Sequence, residues 1–315
     1  MRIAIDYNSA LPVRVGIGRY THNLVKSIAM LDRSSEYFLF SFFFRGRRQK
    51  LADVQIPSAP NFSLRSAPIP VRITRFFSYR LNLPIELFIG NFDLVHFPDP
   101  LPFRGRRAKV VVTIHDIVFA IMPHLYMDEQ RAILEEHMEK MVKRVDAMIA
   151  VSGTTRNDLL RTYGVEEGRV HVVEHGVEES FKPITASDPL EEIRRKYKLP
   201  EKFVLAVGTL EPRKNHLRLI QAFRLMCEKH AGEHSLVICG KKGWMYEEIF
   251  SAAASPGLRG KVFFIGYVPD EDLPSLYNLA NVVAYPSLYE GFGLPVVEAM
   301  ACGRPVLTSD RGTMA

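Results

Sequence analysis

Two hydrophobic periods alternate along this chain, and together they leave few folds open. Short apolar runs rich in Val, Ile and Phe are separated by longer stretches with apolar residues at intervals of three and four. Runs of the first kind suit strands buried on both faces, and stretches of the second kind suit crossover helices. The alternation therefore predicts parallel sheets covered by helices on both sides. Residues 3–8, 36–44, 92–97, 109–116, 146–152 and 169–177 read as strands, with a less apolar one at 62–68. Ile17 to Leu31 and Asp128 to Arg144 read as helices. The pattern then restarts with strands at 203–208, 235–240, 261–267, 281–287 and 304–309, separated by helices near 215–229, 244–254, 270–280 and 295–302.

Between the two series lies the polar, punctuated segment FKPITASDPLEEIRRKYKLP, which reads as a linker with one short helix. The expected domains are 1–178 and 201–315, joined by 179–200. A length of 315 residues suits two domains of ordinary size. The expected fold class is α/β, with two doubly wound, Rossmann-like domains facing across a cleft. With 47% hydrophobic and 24% charged residues, the composition excludes a disordered, collagen-like or coiled-coil chain. A net charge of +6 is compatible with phosphate-bearing ligands, nucleic acid or anionic lipid, and does not choose among them. Cys227, Cys239 and Cys302 are too widely spaced for a disulfide framework or a CxxC metal site. Neither a signal peptide nor a spanning apolar run is evident, so a cytoplasmic protein is expected. The second domain looks unfinished after its strand at 304–309, because such a strand is normally followed by a covering helix.

The segment YEGFGLPVVEAMACGRPV, residues 289–306, carries the most chemistry. Gly291 and Gly293 precede Pro295, which suits a first helical turn, and Gly303 follows the helix end. Glycines let backbone N–H groups approach a ligand, and the helix offers the positive end of its dipole to an anion. Glu290 and Glu298, separated by seven residues, could each accept a pair of sugar hydroxyls on either side of a bound phosphate. Taken singly, either glutamate is explained as a solvated charge at a helix end. In VGTLEPRKNHLRLIQAF, residues 207–223, Arg213 and Lys214 stand at a helix start, where cations oppose the dipole unless an anion lies between them. Diphosphate is the natural candidate, against the alternative of a solvated basic turn.

These motifs resemble those of retaining glycosyltransferase family 4, also known as glycosyl transferases group 1, whose fold is GT-B. EGFGLPVVE is similar to that family's E-x7-E signature, and the resemblance implies that Glu290, Gly291, Phe292, Gly293 and Leu294 meet the donor sugar while Glu298 binds the ribose. The turn at 207–214 is similar to the diphosphate motif G-x-x-x-x-x-K, with Thr209 where some members have Arg, so that Arg213 and Lys214 would neutralise the leaving nucleotide. The loop 7–25, with Gly16 and Gly18, resembles the glycine-rich first loop that lies over donor phosphates and acceptor. A dinucleotide reading fails there, because Thr21 replaces the third glycine of GxGxxG. His115, in TIHD at a strand end, matches the family's active-site histidine and is expected at the transferred sugar, while Asp116 reads as a cap.

Other features read as structural. Asp270 and Asp272 form a D-x-D at a helix start, where capping suffices to explain them. His171 and His175 on one strand would lie about 13 Å apart, too far to share an ion. Residues 71–92 interleave Arg72, Arg75 and Arg80 with Phe76, Phe77 and Tyr79, and could either cover the sheet or rest on an anionic membrane near a lipid-linked acceptor. No nucleic-acid module accompanies them.

The resemblance implies metal-independent, cofactor-free transfer of a hexose from a nucleotide diphosphate sugar, GDP-mannose before UDP-glucose, to a glycan or lipid-linked hydroxyl. A nucleotide-sugar-binding protein without catalysis and a GT-B epimerase are the alternatives.

Overall fold

The computed structural model describes residues 1–10, 16–42, 59–67, 69–100, 103–229 and 233–314. The chain divides into two compact units, Met1–His175 and Gly176–Ala315. The segment read as a linker belongs to the second unit. Its helix Ser187–Tyr197 buries Ile193, and Phe181, Ile193 and Leu199 pack with Phe203 in the second core.

The first unit holds strands β1 (Arg2–Asp6), β2 (Glu36–Phe42), β3 (Phe62–Ala67), β4 (Leu94–Phe97), β5 (Lys109–Ile114), β6 (Ala147–Ala150) and β7 (Val170–Val172). They form one parallel sheet in the order β3-β2-β1-β4-β5-β6-β7. Helices α1 (Ile17–Leu31), α2 (Val71–Tyr79), α3 (Glu86–Ile89), α4 (Val118–Ile121), α5 (Asp128–Arg144) and α6 (Gly153–Tyr163) accompany it. Val110, Val112, Ile114 and Met148 are fully buried in its core with Phe97 and Phe103, as parallel strands between helical layers require. The expected strand at 36–44 ends two residues beyond β2, outside the described residues.

Two elements depart from expectation. The strand predicted at 169–177 stops at Val172, because its partner β6 ends at Ala150, where the chain turns into α6, and nothing remains to pair with residues 174–177. Helix α6 was not anticipated, since GTTRNDLLRTY has little apolar periodicity. Its start and stop signals are local: the Ser152 hydroxyl accepts from Thr155 N at 3.1 Å, and Gly164 ends the helix at φ 59°.

The second unit holds α7 (Ser187–Tyr197), β8 (Phe203–Val207), α8 (His216–Lys229), β9 (Ser235–Cys239), α9 (Glu247–Ala253), β10 (Val262–Gly266), α10 (Leu273–Leu279), β11 (Val282–Tyr285), α11 (Leu294–Ala301) and β12 (Val306–Thr308). Its sheet is again parallel, in the order β10-β9-β8-β11-β12. Both sheets reverse direction of winding beside their first strand, between β1 and β4 and between β8 and β11. Open α/β sheets bind ligands outside the carboxyl ends of strands at such points. Asp272 does not cap α10 as expected. Its carboxylate instead accepts from Lys196 Nζ at 2.6 Å and Tyr197 OH at 2.5 Å, fastening α7 to α10. Among the described residues no helix is long and apolar enough to cross a membrane.

Candidate functional site

At the reversal point of the second sheet, the chain leaving β8 makes a tight turn through Gly208 and Thr209, then a single 3-10 turn at Pro212–Lys214, before entering α8. Asn215 adopts φ 59° between turn and helix, and its Nδ2 donates to Pro286 O at 3.1 Å. Leu288 N donates to Arg213 O at 2.8 Å. The basic turn is thereby knitted to the segment that follows β11. Gly240 and Gly243 press against it from β9: a Cβ on Gly240 would meet Gly208 O at 1.9 Å, and one on Gly243 would meet Leu210 O and the Thr209 methyl at 2.8 Å.

Arg213 and Lys214 are brought together with two carboxylates. Lys214 Nζ donates to Glu290 Oε1 at 2.6 Å and to the Tyr285 hydroxyl at 2.6 Å. Arg213 NH1 lies 2.5 Å from Glu290 Oε2, while its NH2 lies 2.8 Å from Glu211 Oε1. Negative charge beside the two cations is thus supplied from within the chain by Glu211 and Glu290, a pairing the sequence reading of a bound diphosphate does not include. Burial opposes ionisation of Glu290, yet Lys214 and Arg213 overcome it and hold the carboxyl at about 2. Burial raises Glu211 and lowers Lys214. Four charged groups of balanced sign, tied to one another by short ion pairs, form an electrostatic platform, which can accept a developing anion with little reorganisation.

The loop after Glu290 continues the platform. Gly293 takes φ 100° immediately before α11, a conformation that favours glycine, and Leu294 and Pro295 form the first turn. Thr313, in a 3-10 turn at Gly312–Met314, donates its hydroxyl toward Glu290 O at 3.1 Å and Gly291 O at 2.9 Å. Glu298 lies elsewhere: it is 2% exposed on α11 and accepts from Tyr277 OH at 2.9 Å. The two glutamates of the motif thus have different surroundings, one among cations and the other inside the core.

In the first unit, Gly16 precedes α1 at φ 48°, and Gly18 has a packing reason, because a Cβ there would meet Ser9 O at 2.4 Å. Loop residues 11–15 lie outside the described residues. His115 follows β5 and its Nε2 lies 2.9 Å from Pro98 O. Burial lowers its pKa, so the ring is neutral near pH 7. Tyr20 of α1 meets His115 edge-on, with ring centroids 4.9 Å apart, and His175 at 4.7 Å. His175, discounted in the sequence as a metal ligand, stacks 5.5 Å from His115. The Tyr20 hydroxyl bonds Thr113 Oγ1 at 3.1 Å, which also lies 2.9 Å from His96 Nε2. Asp116 accepts from Val118 N at 3.2 Å at the start of α4.

Asp6, at the carboxyl end of β1, gave no signal in the sequence. It accepts from Asn8 N at 3.0 Å and Asn8 Nδ2 at 2.5 Å, while burial and the nearby Asp99 push it up to about 7. Of the basic and aromatic segment, Phe77 stacks inward on Phe88. Ile73, Phe76, Leu81 and Leu87 are exposed. The side chains of Arg72 and Arg75 lie outside the described residues.

Comparison with known proteins identifies the class. WaaG, a glycosyltransferase involved in lipopolysaccharide biosynthesis, aligns with a TM-score of 0.73 at 18% identity, covering 99% of this chain and 82% of that one. HepE from Anabaena, solved in complex with UDP and glucose, aligns with a TM-score of 0.69 at 18% identity, covering 100% of this chain and 82% of that one. The fold is GT-B, with two Rossmann-like domains. The family model for Glycosyltransferase Family 4 matches residues 15–181, and that for Glycosyl transferases group 1 matches residues 190–315. O-antigen chain mannosyltransferase B of Escherichia coli is 31% identical over 309 residues, covering 94% of this chain and 78% of that protein. The chain belongs to this glycosyltransferase family and is a glycosyltransferase.

Proposed function

We propose that the chain transfers mannose from GDP-mannose to a hydroxyl of a glycan or lipid-linked acceptor, with retention of configuration and without a metal ion. The observation that carries this reading is the Arg213–Glu290–Lys214 cluster, built around the buried Glu290 at the reversal point of the second sheet. As the anomeric C–O bond breaks, negative charge grows on the diphosphate. Arg213, Lys214 and the amides of Gly291, Phe292 and Gly293 would supply fixed positive potential to it, while Glu290 orients both cations and the sugar. Thr209 would line the phosphates, Leu294 the donor sugar and Glu298 the ribose. The last role requires Glu298 to exchange its bond to Tyr277 for the ribose hydroxyls. His115 would meet the transferred sugar. Front-face attack assisted by the leaving phosphate needs no enzymic nucleophile.

Mannose is favoured over glucose by the mannosyltransferase relative, and UDP-glucose is the second candidate. The exposed Ile73, Phe76, Leu81 and Leu87 would support peripheral contact with the inner face of an anionic membrane, where a lipid-linked acceptor is carried. A thermal-shift panel of GDP-, UDP- and ADP-sugars tests the donor, because a ligand at 100 times its Kd stabilises by about 2.7 kcal/mol. Stabilisation by GDP-mannose above the others is expected. Equal indifference to all three classes refutes the reading.

A further inference from the structure

The environment of His115 restricts what it can bind. A carbonyl oxygen only accepts, so the 2.9 Å bond to Pro98 O requires the hydrogen on Nε2. In the neutral ring Nδ1 is then left as an acceptor. An acceptor lone pair attracts a hydroxyl and repels a phosphate oxygen, so this ring is suited to the sugar and unsuited to the diphosphate.

Two neighbours fix the plane of that ring. Tyr20 stands against it at an interplanar angle of 83°, and His175 lies nearly parallel at 27°. Tyr20 is itself tied down, since its hydroxyl joins Thr113 Oγ1, which joins the buried His96. His96 and His175 are both lowered by burial to about 4, and neither adds positive charge beside His115 near pH 7. The grip is therefore uncharged and directional.

We propose that Tyr20 and His175 are positioning residues that hold His115 as its Nε2–H tautomer, with Nδ1 as the acceptor for a hydroxyl of the transferred sugar. This rests on the reading of His115 as a sugar contact. Both residues act through His115: removing either lets the ring turn, and the hydrogen bond is lost although the nucleotide platform is untouched.

The test combines side-chain 15N spectra of the full chain with kinetics and nucleotide binding. The wild-type His115 resonance, assigned by its absence in His115→Gln, should report protonated Nε2 and bare Nδ1. Tyr20→Ala and His175→Ala should blur that pattern and lower transfer about tenfold, while the midpoint shift produced by GDP stays at its wild-type value. Tyr20→Phe keeps the ring but not the bond to Thr113, and should fall between. His175→Phe should recover most of the loss seen in His175→Ala. A protonated Nδ1 in the wild type overturns the proposal even if transfer is vigorous. So does a parallel loss of GDP binding in both alanine variants, which would put the ring at the phosphates. If the tautomer is as stated but His115→Gln transfers normally, it is the sugar-contact reading that fails.

Discussion

Lys214 and Glu290 meet with Nζ 2.6 Å from Oε1, the carboxylate buried and the ammonium half-buried, although 76 residues separate them in the chain. The first ends the turn after β8 and the second follows β11, the strands on either side of the reversal point. Their pairing joins the two motifs into one site.

That site should carry the activity. A charge-assisted hydrogen bond contributes about 1.5 to 3 kcal/mol, so Lys214→Ala or Glu290→Ala should reduce transfer at least about tenfold. Initial rates of the folded variants decide the matter, and undiminished transfer by both would remove these residues from the mechanism.

The same cluster should be costly to break by halves. Glu290→Gln leaves the half-buried Arg213 and Lys214 with one carboxylate between them, and should destabilise by about 3 kcal/mol in urea unfolding. With Glu290 ionised down to about 2 in the folded state, its contribution is full above the ordinary value of 4.5 and is lost as pH falls through 2. The deficit of Glu290→Gln relative to wild type should therefore shrink on acidification. A deficit independent of pH would contradict the pairing.

Asp6 should act with the opposite sign. Its pKa rises from 3.8 to about 7 on folding, so its contribution is full below pH 3.8 and is lost as pH rises through 7. A shift of this size corresponds to on the order of 4 kcal/mol. Asp6→Asn should match the wild type near pH 4 and exceed it in stability at pH 8. Parallel pH profiles of the two proteins would show that Asp6 is not buried in this way.

The turn after β8 should tolerate no side chain at Gly240. The clash is with the backbone oxygen of Gly208, which no rotamer change relieves, so Gly240→Ala should cost about 1 to 3 kcal/mol. Calorimetry of Gly240→Ala beside Gly257→Ala makes the comparison, because a Cβ at Gly257 meets nothing within 4 Å, although its φ of 88° adds backbone strain. Equal and small losses would mean that the turn can move away.

Most of the architecture was legible because buried parallel strands are nearly uninterrupted apolar runs, as in KVVVTI of β5. Helix α6 was missed because its evidence lay in its caps, Ser152 and Gly164, and not in its periodicity. The site was legible where residue types sit in fixed local spacing, as with Glu290 and the glycines beside it. Glu211 was not, since a glutamate two residues before Arg213 has no pattern of its own, and only the fold turns it toward the guanidinium. His175 was hidden by the assumption that its strand continued; once β7 stops at Val172, the chain is free to bring it to His115. Asp6 lies at the end of an ordinary strand, and only its burial distinguishes it.

The most direct measurement is of the reaction itself, with GDP-mannose, a mannose-terminated acceptor and excess EDTA, the product being read by NMR at its new anomeric carbon. Release of GDP with formation of an α-mannoside, undiminished by the chelator, is the expected result. An inverted anomer, or transfer that vanishes with EDTA and returns with manganese, would contradict it.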